Sequence, residues 1–226
     1  MLKKIIIAID GPAGSGKSTA AKNIAQKLGF TYLDTGAMYR AITFIALRNG
    51  IAENISAVIE MARRINLKLR FENGVTRVFV DDEEVTEQIR SSEVNAKVSD
   101  ISRIPEVRAE LVKIQKRLGE EGNIVAEGRD VTTVVFPNAD LKIFLTASIE
   151  IRTKRRLKEF IDKNISITQE EVKANLEKRD RIDSGREISP LKKADDAIEF
   201  DNSHFTPEQD YEFLLTKIKE VLKKSN

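Results

Sequence analysis

Residues Ile5 to Ile9 form an unbroken apolar run rich in isoleucine. Such a run predicts a strand covered on both faces, as in a parallel sheet. From Lys17 to Leu28 the period changes: Ala20, Ala21, Ile24, Ala25 and Leu28 repeat at helical spacing, and Gly29 suits the stop. A short second strand follows at Phe30–Leu33, and helices are expected over Ala37–Arg48 and Ile55–Ile65. The pattern then drops to a period of two. Leu67-Lys68-Leu69-Arg70-Phe71 alternates, Glu72-Asn73-Gly74 signals a turn, and Val75–Val80 runs into the acidic turn Asp81–Glu84 and Val85. This predicts a small antiparallel insert at 67–90, set between core segments 1–66 and 91–226. Helical pattern resumes from Ser92 to Leu118 with a break at Pro105, followed by apolar strands at Asn123–Ala126 and Leu141–Leu145. Two highly charged helices, Glu150–Asp162 and Gln169–Arg181, flank a loop at Lys163–Thr168. Ala197–Phe200 reads as a last strand and Pro207–Lys223 as a final amphipathic helix. Strands alternating with helices predict an α/β fold with a parallel sheet.

Composition narrows the chemistry. The chain has 226 residues, 38 Lys plus Arg against 36 Asp plus Glu, and a net charge of +2. A balance this close gives no reason to expect nucleic acid or an anionic membrane as partner. Cysteine is absent, so thiolate catalysis, disulfides and cysteine metal sites are excluded, and the single histidine, His204, reads as a surface loop residue. No apolar run approaches the ~20 residues of a membrane helix. The stretch after Met1-Leu2-Lys3-Lys4 ends in Asp10 and is too short for a signal peptide. A cytoplasmic protein is therefore expected, and a monomer, because no coiled-coil seam is evident.

The first chemical signal lies directly behind the first strand. Gly11-Pro12-Ala13-Gly14-Ser15-Gly16-Lys17-Ser18 has the spacing of a phosphate-binding loop, with Thr19 continuing it. Glycines let successive N–H groups turn inward toward a polyphosphate, and the helix starting near Lys17 adds its positive end. Lys17 supplies charge to the β- and γ-phosphates, and the Ser18 hydroxyl can ligate Mg²⁺. The competing reading is a plain glycine turn. No Asp-x-x-Gly or Asn-Lys-x-Asp occurs, which disfavours a guanine-specific switch.

Three further groups carry polar residues at strand ends or helix ends. Asp34-Thr35-Gly36-Ala37-Met38-Tyr39-Arg40 follows the second strand, where open α/β sheets bind ligands. Arg40 suits an acceptor phosphate there, or is a solvated helix residue. Glu127-Gly128-Arg129-Asp130 closes a buried strand, either facing the same cleft, with Glu127 orienting a Mg²⁺-bound water, or as a structural ion pair. Arg179-Asp180-Arg181 and Asp183-Ser184-Gly185-Arg186 can close arginine forks over a transferring phosphoryl group, or form a charged helix end. Arg152, Lys154, Arg155, Arg156 and Lys158 form a basic run that reads as part of a lid over ATP, with Arg155 at the nucleotide, or equally as a solvated face.

Together these stretches resemble the bacterial cytidylate kinases over nearly the whole chain. The likeness rests on Asp10–Ser18, Asp34–Arg40, Gly128-Arg129-Asp130 with Thr133-Val134-Val135-Phe136-Pro137, and Lys178-Arg179-Asp180 with Ser184-Gly185-Arg186. It implies a P-loop parallel sheet flanked by helices, with the small β insert in the monophosphate-binding region and a helical lid near 153–184. It also implies transfer of the ATP γ-phosphoryl to CMP or dCMP, with Mg²⁺. By that resemblance Arg40, Arg129 and Arg186 hold the acceptor phosphate, and Ser99, Arg108 and Asp130 read cytosine. Arg179 and Asp183 lie near the acceptor phosphate or sugar. Thr35 joins the CMP set, and Lys17, Arg129, Arg179 and Arg186 are the expected catalytic residues. Thr132 departs from the pattern, which leads one to expect glycine. A carboxylate at Asp130 can accept from the cytosine amino group, whereas uracil presents an acceptor there. The competing readings are a P-loop kinase for another small acceptor, a nucleotide-binding regulator without transfer activity, and a nucleic-acid-binding protein using the basic run.

Overall fold

A computed structural model describes residues 4–72, 74–162 and 164–224. Asn73 of the expected turn, Lys163 of the expected loop and Met1–Lys3 at the start lie outside the described residues. The main sheet has five parallel strands in the order β2-β6-β1-β7-β8. They are β1 (Ile6–Asp10), β2 (Thr31–Asp34), β6 (Ile124–Gly128), β7 (Leu141–Thr146) and β8 (Ile198–Asp201). In the middle strand, Ile7 and Ile9 join one apolar cluster, while Ala8 joins the other. The unbroken isoleucine run thus serves two cores at once. One core lies under α1 (Lys17–Leu28) and α8 (Pro207–Lys224). The other lies under α2 (Thr35–Arg48), α3 (Ile55–Arg64), α4 (Ser92–Ser102) and α5 (Pro105–Glu121).

Helix boundaries follow local chemistry. The Asp34 side chain accepts from Ala37 N–H at 2.8 Å and starts α2, two residues earlier than periodicity alone suggests. Pro105 opens α5, as its fixed φ favours, so the expected break becomes two helices. Gly29, at φ 66°, ends α1. A capping box, in which Thr168 and Glu171 exchange side-chain and backbone hydrogen bonds, starts α7 (Gln169–Ser184). That helix packs on α6 (Ile149–Asp162), and it continues past Arg181 to carry Asp183 in its last turn.

The insert is a separate antiparallel sheet, β3 (Leu67–Glu72), β4 (Val75–Val80) and β5 (Glu83–Glu84). Its register pairs Leu67 with Val80 and Leu69 with Val78, so the apolar side chains share one face against the α2–α5 core. Arg70 and Arg77 lie over the Phe79 ring on the other face, at 5.0 and 5.5 Å. Asp81 and Asp82 both take positive φ, which suits the tight turn into β5. One element lacks a sequence signal: residues Val131–Val135 wind as a π-type turn after β6.

Candidate active site

The phosphate loop hangs from the end of the central strand, between β1 and α1. Gly14 and Gly16 sit at φ 76° and 92°, a region that other residues seldom enter. Lys17 bends back over the loop and donates to the Pro12 carbonyl at 3.1 Å. Its ammonium lies 3.9 Å from a Glu127 carboxylate oxygen. Burial pushes Lys17 down to about 7, and the nearby Arg129 and Arg179 push the same way.

Gly14, Gly16, Lys17, Ser18 and Thr19 line a cavity of about 790 Å³ at the carboxyl end of the sheet. Gly11, Pro12 and Ser15 do not line it. Gly11 is packed against the β7 backbone, Pro12 supplies its carbonyl to Lys17, and the Ser15 side chain is fully buried. Thr35, Arg40, Ser99, Arg108, Arg129, Asp130, Arg155, Arg179, Asp183 and Arg186 all border the same cavity. The expected residues are therefore brought together from six separate stretches of the chain.

Their partners differ from those that adjacency suggests. Arg129 and Asp130 are neighbours in sequence but not an ion pair. Arg129 Nε donates to Asp183 at 2.8 Å, and Asp183 also pairs with Arg186. Burial works to raise the Asp183 pKa, but Arg129 and Arg186 win and hold it below the usual carboxylate range. Asp130 pairs with Arg108, and both side chains are almost wholly buried. The Arg108 guanidinium stacks 5.0 Å over the Tyr39 ring and donates to the Ser102 carbonyl at 2.9 Å. Arg40 is not a solvated helix residue: it donates to Asp34 at 2.9 Å and its Nε is buried without a partner. Arg179 and Arg186 also keep a buried, unpartnered Nε. Burial, followed by the charge of Arg129, lowers Arg179 to about 10. With Arg108, whose Nε is also buried and unpartnered, four arginines keep donor capacity unspent beside one cavity, although burying an unmade donor is costly.

The basic run on α6 is not a plain solvated face. Arg152 is buried and reaches the Ala147 and Ala13 carbonyls at 3.0 and 3.2 Å, with Asp180 of α7 at 2.7 Å. Arg155 donates to the Ser15 carbonyl at 3.2 Å and to Asn202. Arg156 stacks on Phe160 and pairs with Glu159. His204 is exposed, as expected. Asp10 has a role that no motif announced. Its buried carboxylate accepts from the N–H groups of Val131 and Thr132 at 2.9 and 2.7 Å and from the Thr132 hydroxyl at 2.6 Å. This explains Thr132, because a glycine there would lose the hydroxyl contact. Burial raises Asp10 to about 6. The sequence marked Asp10 only as the first residue of the stretch that carries the family likeness, without a role.

On the cavity floor, the Ser18 hydroxyl donates to Glu127 at 2.7 Å. Tyr32 reaches the same carboxylate oxygen at 3.3 Å. Burial raises the Glu127 pKa, with Asp34 adding to it. A hydroxyl beside a carboxylate is the hard oxygen set that suits Mg²⁺ shared with phosphates. Among the described residues, no cluster of three or more His, Cys, Asp or Glu forms a protein-only metal cage, and no helix is long and apolar enough to cross a membrane.

A cytidylate kinase family profile matches residues 7–220. A cytidylate kinase of Streptococcus suis (strain 05ZYH33) is 49% identical over 223 residues, covering 98% of this chain and 99% of that one. A cytidylate kinase of Streptococcus thermophilus (strain ATCC BAA-491 / LMD-9) is 46% identical over 225 residues, covering 99% and 100%. Among solved structures, an uncharacterized protein from Eubacterium ventriosum ATCC 27560 aligns with TM-score 0.54 at 12% identity, over 96% of this chain and 99% of its own, a likeness of fold alone. The chain belongs to the cytidylate kinase family, and is an ATP-dependent nucleoside monophosphate kinase.

Proposed function

We propose that this chain transfers the γ-phosphoryl of ATP to CMP or dCMP, giving ADP and CDP or dCDP, with the residue roles given below. One observation carries the reading. A single cavity holds the phosphate loop and Lys17, a ring of arginines with unspent donors, and a buried Arg108–Asp130 pair. These are the parts needed to grip a triphosphate, neutralise a transferring phosphoryl group and read a base.

In this reading Gly11–Thr19 hold ATP, with the inward N–H groups and Lys17 on its phosphates. Arg155 serves ATP from the lid helix. Arg40, Arg129 and Arg186 hold the acceptor phosphate, with Thr35, Arg179 and Asp183 beside them. Ser99, Arg108 and Asp130 meet cytosine. The acceptor phosphate is already anionic, so no protein base is required. The protein's contribution is to align that oxygen with the γ-phosphorus, to neutralise charge and to exclude water. When bound, Mg²⁺ would neutralise phosphate charge, and Ser18 with Glu127 would hold it and its waters. Residues 1–66 and 91–226 act as the kinase core, 67–90 as the small β insert of the monophosphate-binding region, and about 153–184 as the lid. We read the enzyme as cytoplasmic and as a monomer, the latter of which light scattering will measure.

A coupled ADP-release assay across CMP, dCMP, UMP, AMP and GMP tests the assignment. CMP and dCMP should lead in kcat/KM. Preference for another acceptor would make this a kinase for a different small molecule, and ATP binding without turnover of any acceptor would leave only a nucleotide-binding regulator.

A further inference from the structure

Asn202 stands outside every motif, at the turn between β8 and α8, yet it is fully buried and touches the phosphate loop. Its Nδ2 donates to the Ser15 carbonyl at 3.1 Å and to the Asp210 carboxylate at 2.6 Å. Its Oδ1 accepts from Arg155 at 3.0 Å, and its backbone carbonyl accepts from the same guanidinium at 3.0 Å. The orientation of the amide is forced. Arg155 only donates, while Ser15 O and Asp210 only accept, so the nitrogen must face the loop. Arg155 adds a second donor to the Ser15 carbonyl at 3.2 Å.

The Ser15 carbonyl shares a rigid peptide unit with the Gly16 N–H. That unit is trans, since the described residues contain no cis bond, so the oxygen and the hydrogen point to opposite sides. Two donors that pull the carbonyl outward therefore turn the Gly16 N–H inward. Gly16 lines the cavity, and at φ 92° it has no conformational preference strong enough to fix the peptide alone. A cationic donor on the carbonyl also polarises the amide and strengthens its N–H as a donor. We infer that Asn202, oriented by Asp210 and sharing its load with Arg155, is a positioning residue for ATP, aiming the Gly16 N–H at the donor polyphosphate. The inference rests on reading Gly11–Ser18 as the ATP site.

The test titrates ADP and, separately, CMP into the wild-type chain and into Asn202→Ala, Asn202→Leu and Lys17→Ala. Melting temperatures and the ADP-induced ¹H shift of the Gly16 amide are recorded alongside. Asn202→Leu keeps the volume and removes the donor without adding a charge beside Asp210, so it serves if the alanine variant does not fold. Both Asn202 variants should bind ADP about tenfold more weakly, the worth of one lost hydrogen bond. CMP affinity should stay within twofold, and the downfield shift of Gly16 should shrink. Equal losses of ADP and CMP affinity would mean a merely structural residue and overturn the inference. ADP binding lost in Lys17→Ala but kept in both Asn202 variants would overturn it alone. ADP binding that survives Lys17→Ala would overturn the reading of the loop itself, and this inference with it.

Discussion

At the scale of single residues, charge pairing decides what each side chain can do. Arg129 donates through Nε to Asp183 and through Nη1 to the Gly128 carbonyl, which leaves Nη2 for a phosphate. Replacing it with alanine should lower kcat/KM for CMP by about 100-fold or more, the usual worth of a charged donor on a reacting group, while ADP affinity changes little. Steady-state kinetics and titration separate the two. Asp130 is different, because its partner Arg108 is as buried as itself. Asp130→Asn should narrow the CMP-to-UMP ratio of kcat/KM and leave Arg108 undercompensated, costing about 3–5 kcal/mol in urea unfolding. A preserved ratio would remove Asp130 from base reading. Lys17 gives a pH signature. Its pKa of about 7 in the free protein lies below the ordinary lysine value, so the charge is lost as pH rises through 7. Above that pH, kcat/KM for ATP should fall towards tenfold per unit. The kcat should stay level, because bound phosphates restore the charge. Lys17 and its glycines were legible from spacing alone. The Arg129–Asp183 and Arg108–Asp130 pairs were not, since they join residues 54 and 22 positions apart.

Among the elements, the loop and the strands behind it leave little room for error. A Cβ on Gly11 would fall 2.0 Å from the Leu145 carbonyl of β7. Gly11→Ala must therefore push the loop off the strand, and should cost about 3 kcal/mol by overpacking, read as a lower urea midpoint at unchanged slope. The motif marks Gly11 as a phosphate-loop glycine, but its side-chain position faces the sheet. Most elements were readable from period and punctuation: the isoleucine strand, the insert's alternation, Pro105 and the Thr168–Glu171 box. The π-type turn at Val131–Val135 was not. It exists because Asp10, more than a hundred residues earlier, captures its N–H groups, and no local pattern can report a distant acceptor.

On the scale of the whole molecule, α6 and α7 pack Leu157, Phe160, Val172 and Leu176 in one apolar cluster with Ala13 of the loop, and Arg152 and Arg155 add bonds to the Ala13 and Ser15 carbonyls. Amide hydrogen exchange in 164–184 should slow several-fold when an ATP analogue and CMP are both present, and less with either alone. Equal protection by each ligand singly would argue against a lid that closes on the pair. The sequence by itself determined the α/β order of elements, the insert and the phosphate loop, because hydrophobic period and loop spacing are local properties. It also brought the arginines and Asp130 forward as candidates through motif resemblance. Only the tertiary structure decided who pairs with whom. Asp183 lies between Arg129 and Arg186, Asp130 turns to Arg108, and Asn202 reaches back to the loop. The reason is physical: a buried charge or amide must find its partner wherever the packed chain brings one within about 3 Å, and sequence distance does not enter that requirement. The phosphate loop is therefore legible in eight residues, but its aim depends on groups almost two hundred residues away.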